Sequence, residues 1–374
     1  VEFKVEPETV RRCGDQISRN GHAMWDVRAH LDAHLHLGST AGLWLQTLSG
    51  AHHETRDRMS LGLSRAAQAL EGSGVELGKS ADYYAATDRT SAANLDRQYR
   101  GSARPYIDSP GSYRPPHLDG KAGPYTAGTG IDVTDPRSSL NPPQQPQEFT
   151  DPVKLFNVVS DFLSPTWWIN QVLDDTIGCN PLEFVTDQLI GDWEGFAKCA
   201  IVWESLSRSA DAISENIDYG LRWLSQDWHG QAADQAVAYL DRLRRAIDSH
   251  RDILRRLHGK YLDVARGVWN CARALADLLK MILDNVIVAG IAVMAAAYLS
   301  WTGVGAGISL AVAALECANI MRLWGNATQL ISNTQAAIEG FVGFLQSQEA
   351  DTLDELTPMA IPEAYDHPNP QVGA

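Results

Sequence analysis

No two cysteines in this chain stand at the spacing of a metal knuckle or a redox dithiol. The five that occur, Cys13, Cys179, Cys199, Cys271 and Cys317, are scattered, with no Cys-x-x-Cys and no Cys/His cluster at zinc spacing. Buried free thiols are the expected state, and Cys179 with Cys199 is the one pair that merits a test for a disulfide. The sequence also lacks G-x-S-x-G, a P-loop, H-E-x-x-H and a dinucleotide fingerprint. Gly303-Val-Gly-Ala-Gly307 follows no strand pattern and reads as a turn between apolar helices, not a phosphate cradle. His30 and His34 lie one helical turn apart with His36 nearby, but no third ligand is placed beside them, so no metal is expected. His52-His53 reads as a solvated helix start. Acidic residues are plentiful, yet no two are marked as a catalytic dyad, so no catalytic residue and no cofactor are expected. A formal net charge of −15 repels nucleic acid and anionic membrane at long range, which argues against a nucleic-acid partner. The opening VEFKVEPETVRRCGDQ has no continuous apolar run, so no conventional signal peptide is expected.

What the chain does have is length and periodicity. Its 374 residues, 44% of them hydrophobic, can bury a sizeable core. Residues 101–150 are rich in Pro, Gly, Ser and Asp and carry no helical or strand period, which predicts a flexible linker between an N-terminal unit, 1–100, and a C-terminal unit. In the first unit, Glu6-Pro7-Glu8-Thr9 is a helix start, and Leu37-Gly38-Ser39-Thr40 supplies a stop near His36. Met59, Leu63, Ala66, Leu70, Leu77, Ala81 and Tyr84 then mark a second amphipathic helix, with a break possible at Gly72, Gly74 and Gly78. The unit reads as a two-helix hairpin.

In the second unit, placed at 151–347, apolar residues step by fours and threes from Ala236 through Leu243, Leu254, Tyr261 and Val268 to Ile282. That spacing predicts a heptad helix of about 47 residues, roughly 70 Å long. A similar pattern runs from Trp193 through Trp203, Ile213 and Leu224 to Trp228. The two stripes meet at Trp228-His-Gly230. A helix with one apolar stripe must cover it, and a tight reversal lets the two cover each other. Gly230 can take the positive φ of such a reversal while Trp228 fills the corner. The basic side chains Arg242, Arg244, Arg245, Arg251, Arg255, Arg256 and Lys260 read as the solvated face of the long helix. Residues 286–315, VIVAGIAVMAAAYLSWTGVGAGISLAVAAL, carry no charge and are interrupted by Gly303, Gly305 and Gly307. Neither arm reaches the roughly 20 residues of a bilayer span. A buried or partner-covered helical hairpin is the first reading and a conditionally membrane-inserting one the second, with Val286, Val293, Tyr298, Trp301 and Leu310 as candidate contacts. A further helix follows over 320–345, and the acidic tail, 348–374, reads as loose. The expected fold is all-α: an N-terminal helical hairpin, a Pro/Gly-rich linker and a C-terminal bundle of long antiparallel helices.

Two long helices joined at Trp-x-Gly resemble the Trp-x-Gly, or ESAT-like, family of helical hairpins exported by type VII (ESX) secretion systems of actinobacteria. From Gly191-Asp-Trp193 through Trp228-His-Gly230 to the apolar segment, the chain is similar to the enlarged version at the N-termini of CpnT-like secreted toxins. The first unit resembles EspC-like ESX-associated substrates, a hairpin followed by Tyr-x-x-x-Asp/Glu, here Tyr84-Ala-Ala-Thr-Asp88. The resemblance implies that Tyr84 and Asp88 are read by the secretion ATPase, that a small Trp-x-Gly protein or export chaperone is a possible partner, and that the protein is secreted or held at the cell surface. The first unit has only Gly42-Leu-Trp44 near its turn, and the Trp228 hairpin has no Tyr-x-x-x-acid after it. The expectation is therefore a chain that fuses two complementary halves. About 25 residues follow the bundle, fewer than a domain needs, so a non-enzymatic substrate acting through helical contacts is expected. The alternatives are a membrane-inserting or pore-forming protein and a cytosolic scaffold or chaperone for such substrates.

Overall fold

A helical period continued over several heptads should give long helices, and the computed structural model of the chain is all-α, built around them. It describes residues 3–87, 91, 94, 97, 132–144, 151–156, 167–298, 304–354 and 365. In chain order the elements are β1 (Lys4–Val5), α1 (Pro7–His34), α2 (Leu43–Ala86), α3 (Trp167–Ile177), α4 (Pro181–Leu189), α5 (Trp193–Asp227), β2 (Trp228–His229), α6 (Gln231–Tyr298) and α7 (Val304–Asp354), with short 3-10 turns at Pro136–Ser139 and Pro152–Phe156. Local chemistry sets several of the boundaries. Pro7 opens α1. Asn180 caps α4 by accepting from the Leu182 and Glu183 amides, with Pro181 next to it. Asp192 caps α5 by accepting from Gly195 N at 2.7 Å.

The predicted stripes are the buried ones. Met59, Leu63, Leu70, Leu77, Ala81 and Tyr84 line the inner side of α2, and Trp193, Phe196, Trp203, Leu206, Ile213, Ile217, Leu221 and Leu224 that of α5. α6 buries Leu240, Leu243, Leu254, Leu257, Tyr261, Val268 and Leu275. At 68 residues it exceeds the predicted heptad helix at both ends and spans about 100 Å. α1 and α2 form one antiparallel pair, α5 and α6 a second, and α6 and α7 a third; α1 also lies on α5, and α2 on α7. One hydrophobic core runs through all five long helices. Because α5 has 35 residues and α6 has 68, α6 continues 33 residues further, where α7 and α3 flank it.

Four expectations are corrected. The glycines of α2 do not break it: a Cβ on Gly74 would meet Gly14 O at 2.6 Å, and one on Gly14 would meet Gly74 O at 2.8 Å, so they let the α1 and α2 backbones touch. Part of the supposed linker is docked. Asn216, on α5, accepts from the Val133 and Thr134 amides at 2.8 and 3.1 Å and donates to Thr134 O at 2.9 Å, while Arg19 pairs with Asp132 at 2.7 Å. In the supposed tail, α7 persists to Asp354, and Tyr365 is buried, its amide donating to Ser73 Oγ at 2.9 Å. The basic face of α6 is only partly solvated. Arg244 pairs with Asp241 and Asp248 at 3.0 and 2.8 Å and Arg251 with Asp211 at 2.8 Å, whereas Arg242, Arg245, Arg255 and Arg256 are exposed.

Candidate functional site at the Trp-x-Gly corner

The two long C-terminal helices reverse where the sequence placed the turn. α5 ends at Asp227, and Trp228 leaves the helix in extended conformation, its amide still donating to Leu224 O. Gly230 has φ +134°, in the region that side chains oppose, and its carbonyl accepts from Asp234 N at 3.0 Å in the first turn of α6. Trp228 is 1% exposed.

The corner's other wall comes from the N-terminal unit. β1 pairs antiparallel with β2, Lys4 opposite His229 and Val5 opposite Trp228. The last turn of α2 brings Tyr84 edge-on to the Trp228 indole, with ring centroids 5.8 Å apart and planes at 68°, while the Phe3 ring lies 6.1 Å from that of Tyr84, tilted by 52°. Such tilted and edge-on pairs are worth about 0.5–1.5 kcal/mol each beyond the area they bury. Asp227 fastens the strand. Its carboxylate accepts from Lys4 Nζ at 3.0 Å and Thr9 Oγ1 at 2.9 Å, and its carbonyl accepts from Glu6 N at 2.9 Å. The Lys4 hydrogen bond holds that carboxyl below the usual carboxylate range.

Tyr84, Trp228 and Gly230, singled out separately in the sequence, therefore meet at one end of the bundle. Tyr84 differs from expectation in one respect: at 5% exposure its ring is a packing element of the corner and is not displayed on the surface. Asp88 and Trp301 lie outside the described residues. Val286 is fully buried and so makes no outside contact, whereas Val293, Tyr298 and Leu310 are exposed far from the corner, near the α6–α7 reversal.

The opposite end of the bundle holds a second junction that sequence reasoning missed. The α1–α2 turn packs on the start of α5: Ser39 O accepts from Asp192 N at 2.9 Å and Gly38 N donates to Asp192 Oδ2 at 3.1 Å. Gly42 lies against the Ile190 backbone and Gly191, at φ +137°, against Leu45. His52 was also misread. It is fully buried in α2, its Nδ1 2.7 Å from the Tyr261 hydroxyl, next to Phe196 stacked on Tyr261. Burial, helped by the nearby His53 and Arg56, pushes its pKa down to about 3. The signal was present, since Leu45, Leu48, His52, Thr55 and Met59 continue the α2 stripe backwards in steps of three and four.

All five thiols are free, and burial pushes those of Cys13 and Cys199 up to about 12, so both are inert at neutral pH. The His30 and His34 rings lie 4.6 Å apart, but among the described residues no group of three or more His, Cys, Asp or Glu side chains is placed to hold a metal. Comparison of the chain with protein-family models, with curated proteins and with solved structures returned no match.

Proposed function

We propose that this protein is a non-enzymatic substrate of a type VII secretion system and that its export signal is composite, with a Trp-x-Gly corner from one half of the chain and a Tyr-x-x-x-Asp segment from the other. The observation that carries this reading is the contact between Tyr84 and Trp228. A tyrosine from α2 and a tryptophan from the α5–α6 turn, 144 positions apart, have no local reason to adjoin. In the fused chain the corner holds the last turn of α2, after which Asp88 follows in sequence, and on this reading the export ATPase recognises the segment that follows a turn so held. The role of Tyr84 is then to position that segment, with its ring held against Trp228 and Phe3.

The test compares culture filtrate with lysate. Wild-type protein should appear in the filtrate only when the export ATPase is functional, and Tyr84→Ala and Asp88→Ala should each remain in the lysate as folded protein. Equal filtrate levels with and without the ATPase would refute export by this route. Point substitutions serve better than removal of residues 1–100, because α1 lies on α5 and its loss would bare their shared core.

A further inference from the structure

The end of the α6–α7 hairpin carries apolar side chains that nothing described in the chain covers. Ile291, Val293 and Tyr298 on α6 are 56%, 52% and 83% exposed, and Ile308, Leu310 and Leu315 on α7 are 64%, 55% and 61% exposed. Exposed apolar side chains are ordinary singly, but a contiguous group on paired helices exceeds what a monomer usually leaves in water. Their arrangement identifies the occupant. At 100° per residue Ile291 and Val293 point about 160° apart, and so do Ile308 and Leu310. A docked helix or a groove on a partner covers one stripe spaced by threes and fours. It cannot cover opposite sides of both arms at once. A helix that is apolar on all sides belongs inside a large core or inside lipid. A second copy would need an interface wrapped around the whole tip. Trp168 of α3 lies against Gly290, and Ala289, Ala292 and Ala296 on the same helix are buried, so among the described residues the exposed side chains flank a packed face.

We propose that this tip is a bilayer-insertion device. It enters the acyl region as a helical pair, and the first charges, Asp284 on α6 and Glu316 on α7, set the outer limit of that entry, because burying either carboxylate in hydrocarbon is costly. The described charge-free stretch of α6 from Val286 to Tyr298 amounts to about 20 Å of helix, against a hydrocarbon core of about 30 Å. Both α6 and α7 are long and apolar enough to cross a membrane by length and composition alone. With a net charge of −15 the rest of the chain is repelled by anionic headgroups. Insertion should therefore be driven by hydrocarbon alone and favour zwitterionic lipid. The inference concerns the tip and does not rest on export.

The experiment is flotation of the purified full chain with vesicles of pure phosphatidylcholine and of phosphatidylcholine with one third phosphatidylglycerol, alongside light scattering to establish the oligomeric state. Wild type should float with phosphatidylcholine vesicles and float less with the anionic mixture at low salt. Val293→Asp and Leu310→Asp, both at exposed positions, should keep the wild-type circular dichroism and melting point while losing at least tenfold in bound fraction. Leu61→Asp, on the exposed side of α2, should bind as wild type. Three results would overturn the proposal: no flotation of a monomeric wild type; a stable dimer that does not float, which makes the tip a self-association face; or binding that rises with anionic lipid and ignores the tip substitutions, which assigns it to the exposed arginines of α6.

Discussion

Acidification is expected to weaken this bundle, most directly through the buried side chain of His52. The imidazole is fully buried, 2.7 Å from the Tyr261 hydroxyl, and its pKa is lowered to about 3, chiefly by desolvation and then by His53 and Arg56. In the unfolded chain the same group titrates near 6.5. Above that pH both states hold it neutral and its contribution is constant. As the pH falls below it, the unfolded chain takes up a proton that the folded chain refuses, so stability falls by about 1.4 kcal/mol per pH unit. By pH 5 the loss is about 2 kcal/mol, and it approaches roughly 5 kcal/mol where the folded state also protonates. Burial likewise lowers the pKa of His30 and His250, which add losses of the same sign. Comparison of wild type with His52→Gln isolates the one residue, since the other histidines remain in both. Urea midpoints at pH 7 and pH 5 should show the substitution destabilising at pH 7, where the Tyr261 partner is disturbed, and the gap to wild type narrowing by about 2 kcal/mol at pH 5. Parallel pH dependences for the two proteins would refute the buried neutral histidine.

Gly230→Ala should lower stability by about 1–3 kcal/mol, because φ +134° is open to glycine and strained for any side chain. An unchanged urea midpoint would show that the corner can relax around a side chain. Asn216→Ala removes the groups that hold Val133, Thr134 and Asn20. If docking of residues 132–144 falls by about 1.4 kcal/mol, trypsin should nick the bond after Arg137 about tenfold faster in native protein. A rate equal to wild type would mean that Asn216 does not hold residues 132–144 in place.

Much of the helical architecture was legible because it is local. The apolar residues from Trp193 to Leu224 and from Leu240 to Leu275 repeat with the helical period, a glycine stands where a reversal needs positive φ, and both facts can be read from the order of residues. A period also announces which side of a helix is buried, and those sides are buried here. Errors arose where a residue's type was weighed without its phase, as with His52, or where composition stood in for structure, as with Asp132 to Gln144.

Partnership was decided only by the tertiary structure. The hydrophobic effect is non-directional, so a stripe on α1 specifies that it must be covered but not that α5 covers it. For the same reason nothing in the order of residues indicated that Tyr84 would lie on Trp228 or that Asn216 would hold the backbone of residues 133 and 134. Each depends on which surfaces meet when helices of unequal length share a core, a property of the assembled bundle that no stretch of sequence encodes by itself.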